Sequence, residues 1–128
     1  MVEAILRICR SQPVKRILAC APSDAAADVL CDRLSRTLSV TQLFRLNWWQ
    51  RVSASMPPRL RPYSCDVNDV FELPTASKLA AFQVIVCNCG TAGVLKTLPL
   101  LSPLLFDVVI VDEASQAIEA EVSSVACF

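Results

Sequence analysis

Three apolar runs of strand length, each closed by a cluster of polar residues, constrain this chain most. They are Arg16-Ile-Leu-Ala-Cys-Ala21, Phe82-Gln-Val-Ile-Val-Cys-Asn88 and Phe106-Asp-Val-Val-Ile-Val-Asp112. Near-continuous apolar character, without polar alternation, is the mark of strands covered on both faces. Helical patterns separate them. Val2, Ile5, Leu6 and Cys9 share one face of a helix over residues 2–10, which Pro13 closes. A second helix repeats apolar residues at Ala27, Leu30, Cys31, Leu34 and Leu38, with Asp32 and Arg36 four apart on its solvent side. Ser23 stands at its N-cap position, and Asp24 in the first turn complements the dipole. A third helix is expected at about 75–81, a loop opening a short helix at Thr91–Leu95, and a polar helix start at Glu113–Glu121. Strands alternating with helices describe an α/β fold, a parallel sheet with helices on both faces.

Between about 44 and 76 the pattern dissolves. Trp48, Trp49, Pro57, Pro58, Pro62 and Pro74 punctuate it, and Arg45, Arg51, Arg59 and Arg61 are scattered through it. This stretch reads as an irregular insertion with one short helix, inside a single domain spanning 1–128. Trp48–Trp49, flanked by Arg45 and Arg51, has the chemistry of a base-stacking platform. In a proline-rich insertion such a pair more often serves as a packed anchor, and packing is the expectation here.

Composition narrows the function classes. Hydrophobic residues make up 54% and charged residues 19%, which excludes a disordered tail. Twelve basic and twelve acidic residues leave no net charge, so nucleic-acid contact must come from a local patch or from backbone groups. Seven cysteines could suggest disulfides or a metal site, but there is no Cys-x-x-Cys and no histidine, and the count is odd. Reduced, structural thiols are expected, with a reducing, cytoplasmic compartment. Charges at Glu3, Arg7 and Arg10 break any apolar leader, and the stretch around Phe106–Val111 is too short to span a bilayer, so no membrane association is expected.

Ligands of parallel sheets bind at the carboxyl ends of the strands. The polar residues there are Pro22–Ser23, Asn88–Thr91 and Asp112–Glu113. Two adjacent carboxylates at the exit of a buried strand must stay hydrated, paired or metal-bound. In nucleotide-hydrolysing motors such a pair has a use: Asp112 as a hard oxygen ligand for magnesium, and Glu113 as the group that orients and deprotonates the attacking water. A strand end that merely turns polar is the plainer alternative. The four β-branched residues before the pair and Ala-Ser-Gln after it favour the functional one.

At this point a resemblance becomes specific. Val111-Asp-Glu-Ala-Ser-Gln-Ala-Ile-Glu-Ala-Glu121 resembles motif II of the superfamily 1B, Upf1-like RNA helicases, and within them the Armitage-type RNA-silencing helicases. Leu18-Ala-Cys-Ala-Pro-Ser-Asp-Ala-Ala-Ala-Asp28 resembles motif Ia, and Cys89-Gly-Thr-Ala-Gly93 occupies the place of the motif Ib/Ic loop. The resemblance implies a partial first RecA-like domain of a P-loop NTPase, lacking the P-loop strand. It implies ATP and Mg2+ as cofactors, Asp112 on the metal, Glu113 as catalytic, and Gln116 coupling nucleotide to strand contact. It also implies single-stranded RNA against Pro22, Ser23 and Thr91, with silencing or RNA-decay proteins as partners and ribonucleoprotein granules as a location. For Thr91, a role as helix cap stands beside the contact. One departure matters. The family commonly has Asn after Pro-Ser, and Asp24 would set a negative charge against a nearby phosphate.

The chain has two glycines, Gly90 and Gly93, and no Gly-x-x-x-x-Gly-Lys-Thr. That loop cradles phosphates through backbone N–H groups and a lysine. In the family it precedes the helix that here starts at Val2, so truncation is expected, with no ATPase from this chain alone. Two other readings stay open: a non-catalytic RNA- or partner-binding module of helicase ancestry, and a related NTPase acting on DNA. A sheet without its P-loop strand is also expected to expose edges prone to aggregation.

Overall fold

A computed structural model of the chain describes residues 1–97 and 106–112. Helix α1, Val2–Ser11, buries Ile5, Leu6 and Cys9, the face anticipated from their spacing. Strand β1, Ile17–Ala21, is buried along its whole length and leads into helix α2, Asp24–Ser35. Ser23 caps α2, its Oγ accepting from the Ala26 N–H at 3.1 Å. Leu38 is buried but lies past the helix end.

A fourth strand, β2 (Leu43–Arg45), joins the three anticipated ones. Where the sequence pattern dissolves, two 3₁₀ turns (Ser53–Ser55 and Pro58–Tyr63) are followed by a hairpin of β3 (Asp66–Val67) and β4 (Val70–Phe71). Asn68 and Asp69 take the positive φ angles of its tight turn, which short polar side chains tolerate. This stretch is stitched to the core by Met56, Leu60 and Phe71, all buried. Helix α3, Ala76–Ala80, and strand β5, Val84–Asn88, follow. Helix α4, Cys89–Thr97, and strand β6, Val108–Val111, complete the described elements. The anticipated polar helix after Glu113 lies outside the described residues, as does Cys127.

The sheet order is β2-β5-β1-β6, and each pairing is parallel. Alternate residues divide the core into two layers, as the pleat requires. Ile17, Ala19, Val84 and Val86 pack beneath α1 and α2, whereas Leu18, Cys20, Ile85 and Cys87 meet α3 and α4. The result is an α/β architecture with helices on both faces, that of a partial RecA-like domain. Five cysteines among the described residues, Cys9, Cys20, Cys31, Cys87 and Cys89, are buried in the core as small hydrophobes. Among the described residues, no helix is long and apolar enough to cross a membrane.

Candidate functional site

The strand register draws the polar strand ends together. Ala21 pairs with Asn88 and Cys20 with Val111, so β1, β5 and β6 finish at one edge. Pro22–Ser23, Asn88–Thr91 and Asp112 therefore share a rim. Glu113 and Gln116 lie outside the described residues.

On the strand-contact side, Pro22 is half-buried and Ser23 exposed. Capping uses the lone pairs of Ser23 Oγ, and its O–H remains a donor that can turn to a phosphate oxygen. Capping therefore leaves that donor free. The loop expected before Thr91 is instead the first turn of α4. Asn88, which ends β5, accepts from the Thr91 N–H at 2.6 Å through Oδ1 and so caps the helix. Thr91 is thus not the cap, and it is only 4% exposed.

Asp24 is not an uncompensated charge. Its Oδ1 accepts from Arg45 Nη2 at 3.0 Å and from Asn88 Nδ2 at 2.8 Å. The Asn88 bond ties the start of α2 to the start of α4. Behind it lies a buried ionic group that the sequence pattern hides. Arg45 Nε donates to Asp28 Oδ1 at 2.9 Å and Arg45 Nη1 to the Leu46 carbonyl at 2.6 Å. Arg51 donates to both carboxylate oxygens of Asp28 and to Asn47 Oδ1. Burial works against the Arg51 charge, but the bonds and attraction of Asp28 outweigh it and raise its pKa. Asp24 and Asp28 are one helical turn apart, so a pair of acids on the motif Ia helix is the signal that could have located the two arginines.

The tryptophan pair is not a packed anchor. Trp49 is 55% exposed and Trp48 half-buried. Their rings lie 6.1 Å apart, tilted by 48°. The residues that anchor this stretch are Leu46, Met56, Leu60 and Phe71.

On the other flank of α2, Asp112 follows β6 in a turn, its N–H donating to the Cys20 carbonyl at 2.7 Å. It borders a cavity of about 570 Å³ with Val2 and Glu3 of α1 and with Val29, Leu30 and Arg33 of α2. That volume falls within the range of small-molecule sites. Arg33 brings a guanidinium to this cavity, and Glu3 and Asp112 bring carboxylates. A hard oxygen donor at Asp112 fits magnesium. Among the described residues no three potential ligands gather around one point.

Comparison with known proteins decides the ancestry. The chain is 32% identical over 123 residues to "RNA helicase Mov10l1" of Mus musculus, covering 94% of this chain and 10% of that protein. It is 35% identical over 124 residues to "Putative helicase mov-10-B.2" of Danio rerio, covering 94% of the chain and 12% of the relative. "Putative helicase MOV-10" of Gallus gallus is 32% identical over 124 residues, with 94% and 13% covered. This segment is homologous to a stretch of the Mov10-type proteins named as RNA helicases, which are Upf1-like helicases. It spans about a tenth of the length of these curated relatives. No family model and no solved structure matches it. Within this segment, α2 stands between two parts of the rim, with the Asp112 cavity on one flank and the Asn88–Asp24 bond on the other.

Proposed function

We propose that this segment works within an ATP-driven RNA helicase motor acting in RNA silencing or decay, in a reducing, cytoplasmic setting. One observation carries the reading: the motif II aspartate and the motif Ia and Ib/Ic residues end neighbouring parallel strands on one rim. When bound, magnesium would neutralise charge on the transferred phosphate. Asp112 would hold that ion, and Glu113 would orient and deprotonate the attacking water. Gln116 relays nucleotide state toward the strand. Pro22 and Ser23 position single-stranded RNA through its sugar-phosphate backbone, contacts that set register without reading sequence, and the nearly buried Thr91 lines the cavity beside them.

The 128 residues contain no Gly-x-x-x-x-Gly-Lys-Thr, so the chain alone is expected to bind ATP weakly and to show no turnover. Steady ATP hydrolysis by the pure chain, abolished by Glu113→Gln, would overturn that. One second reading stays open, a non-catalytic strand- or partner-binding module. Sequencing the transcript upstream of Met1 separates them. An in-frame Gly-Lys-Thr loop before Val2 supports the motor, and a true start at Met1 supports the module.

A further inference from the structure

We propose that Trp48 and Trp49 form a stacking platform for an unpaired nucleobase of the strand gripped at the rim, a proposal that rests on the strand-binding reading above. Three observations converge on it. First, Trp49 is 55% exposed and the tilt of 48° keeps the two rings from stacking on each other. A ring of this size in water forgoes a large burial gain unless something covers it.

Second, the pair is displayed on a pinned turn. The Arg51 N–H donates to the Trp48 carbonyl at 3.0 Å, closing the turn Trp48–Arg51. Arg51 is locked onto Asp28 and over the Phe71 ring, and Asn47 is held by Ser64 at 2.9 Å. The aromatic face is therefore preorganised, which lowers the ordering cost of binding. An aromatic anchor packed for stability would instead point inward, as Phe44 does against Phe82 at 4.8 Å.

Third, the turn and the strand-contact rim share one cavity of about 440 Å³, bounded by Trp48, Gln50 and Arg51 on one side and by Asp24, Asn88, Gly90 and Thr91 on the other. Trp49 is next to Trp48 in sequence but outside that lining, and the Asp24 carboxylate is already engaged by Arg45 and Asn88. Gly90 is exposed on that wall, has no positive φ, and a Cβ built on it would meet only Asn88 Oδ1, at an ordinary 3.5 Å. Neither backbone strain nor crowding calls for glycine there, and its small size leaves the wall open to a ligand. An aromatic face with polar amide edges suits a base, which presents a π-face and hydrogen-bonding edges together. Because every base has such a face, the platform adds affinity without sequence preference.

The two tryptophans are the whole tryptophan content of the chain, so intrinsic emission reports on this site directly. The full chain is titrated with a fluorescently labelled oligouridylate and with an abasic strand of equal length. Anisotropy follows binding and tryptophan emission follows stacking. Saturable quenching by the oligouridylate but not by the abasic strand is expected. Trp49→Ala should weaken oligouridylate binding roughly five- to a hundredfold and leave abasic binding unchanged. Trp49→Phe should restore most of the loss. Because Trp49 is exposed, both variants should keep the wild-type denaturation midpoint. Binding by anisotropy with unchanged emission, and a Trp49→Ala variant that binds like wild type, would overturn the platform and leave the strand-binding reading intact. No binding of either strand would remove both. Concentration-dependent self-association lost in Trp49→Ala, without quenching by RNA, would assign the patch to a contact between copies.

Discussion

Arg45 and Asp28 meet inside the protein: Arg45 Nε lies 2.9 Å from Asp28 Oδ1, with the arginine side chain fully shielded from water and the aspartate side chain 8% exposed. The pair joins the end of β2 to the middle of α2, and through Arg45 Nη2 it reaches Asp24 at the rim. Removing one partner of a buried ion pair leaves an uncompensated charge, which costs far more than the pair itself contributes.

Arg51 still pairs Asp28 in an Arg45→Met variant, so the substitution should destabilise the fold by about 1.5–3 kcal/mol, the loss of bonds to charged groups and not of a whole ion pair, with the chemical denaturation midpoint as the readout. Arg45→Lys should fall between wild type and the methionine variant. An ammonium keeps the charge but cannot reach Asp28, Asp24 and the Leu46 carbonyl at once as the guanidinium fork does. A methionine variant with an unchanged midpoint would show that the network does not hold β2 to α2.

This network also marks where the sequence stops being legible. Strands β1, β5 and β6 were readable because each is a four- or five-residue apolar run set off by polar residues, and Ser23 was readable because capping is local. Strand β2 is three residues long and ends in arginine, too short for any periodicity and too polar for a buried run. Arg45 looks like a surface charge because its partners stand 17 and 21 positions back along the chain. Asn88 reads as a strand end, yet its side chain caps α4, which starts at Cys89, two residues before Thr91. The rim needed only strand ends to be found. The partners that neutralise Asp24 needed the tertiary fold.

Ser23 separates capping from strand contact. Its Oγ accepts the Ala26 N–H, and Ser→Ala at an N-cap costs about 1 kcal/mol whereas Ser→Gly costs only a few tenths. Denaturation midpoints of the two variants should differ accordingly. If the hydroxyl also donates to a phosphate, both variants lose the same charge-assisted bond, and single-strand affinity should fall roughly tenfold in each. Equal losses of affinity beside unequal losses of stability are the expected signature. A glycine variant that binds strands like wild type would confine Ser23 to capping.

Alkali should unfold the chain through its buried thiols. Burial pushes Cys31 up from 9.0 to about 12, and Cys20 is raised as well, first by its hydrogen bond with Cys87 and then by burial. A thiol whose folded pKa is raised keeps its proton when the unfolded chain has already released it. Its contribution is thus fully present below about pH 9 and is lost progressively as pH rises toward about 12 for Cys31. In that window each such thiol adds a slope of about 1.4 kcal/mol per pH unit. Urea midpoints measured from pH 7 to 10.5 should stay level to about pH 9 and then fall. Cys31→Ala removes one titrating group, so its decline should be shallower than that of wild type over the same range. Because Lys and Tyr titration is common to both proteins, the difference between the two curves isolates the thiol. Curves that run parallel above pH 9 would mean that Cys31 is deprotonated as readily in the fold as outside it.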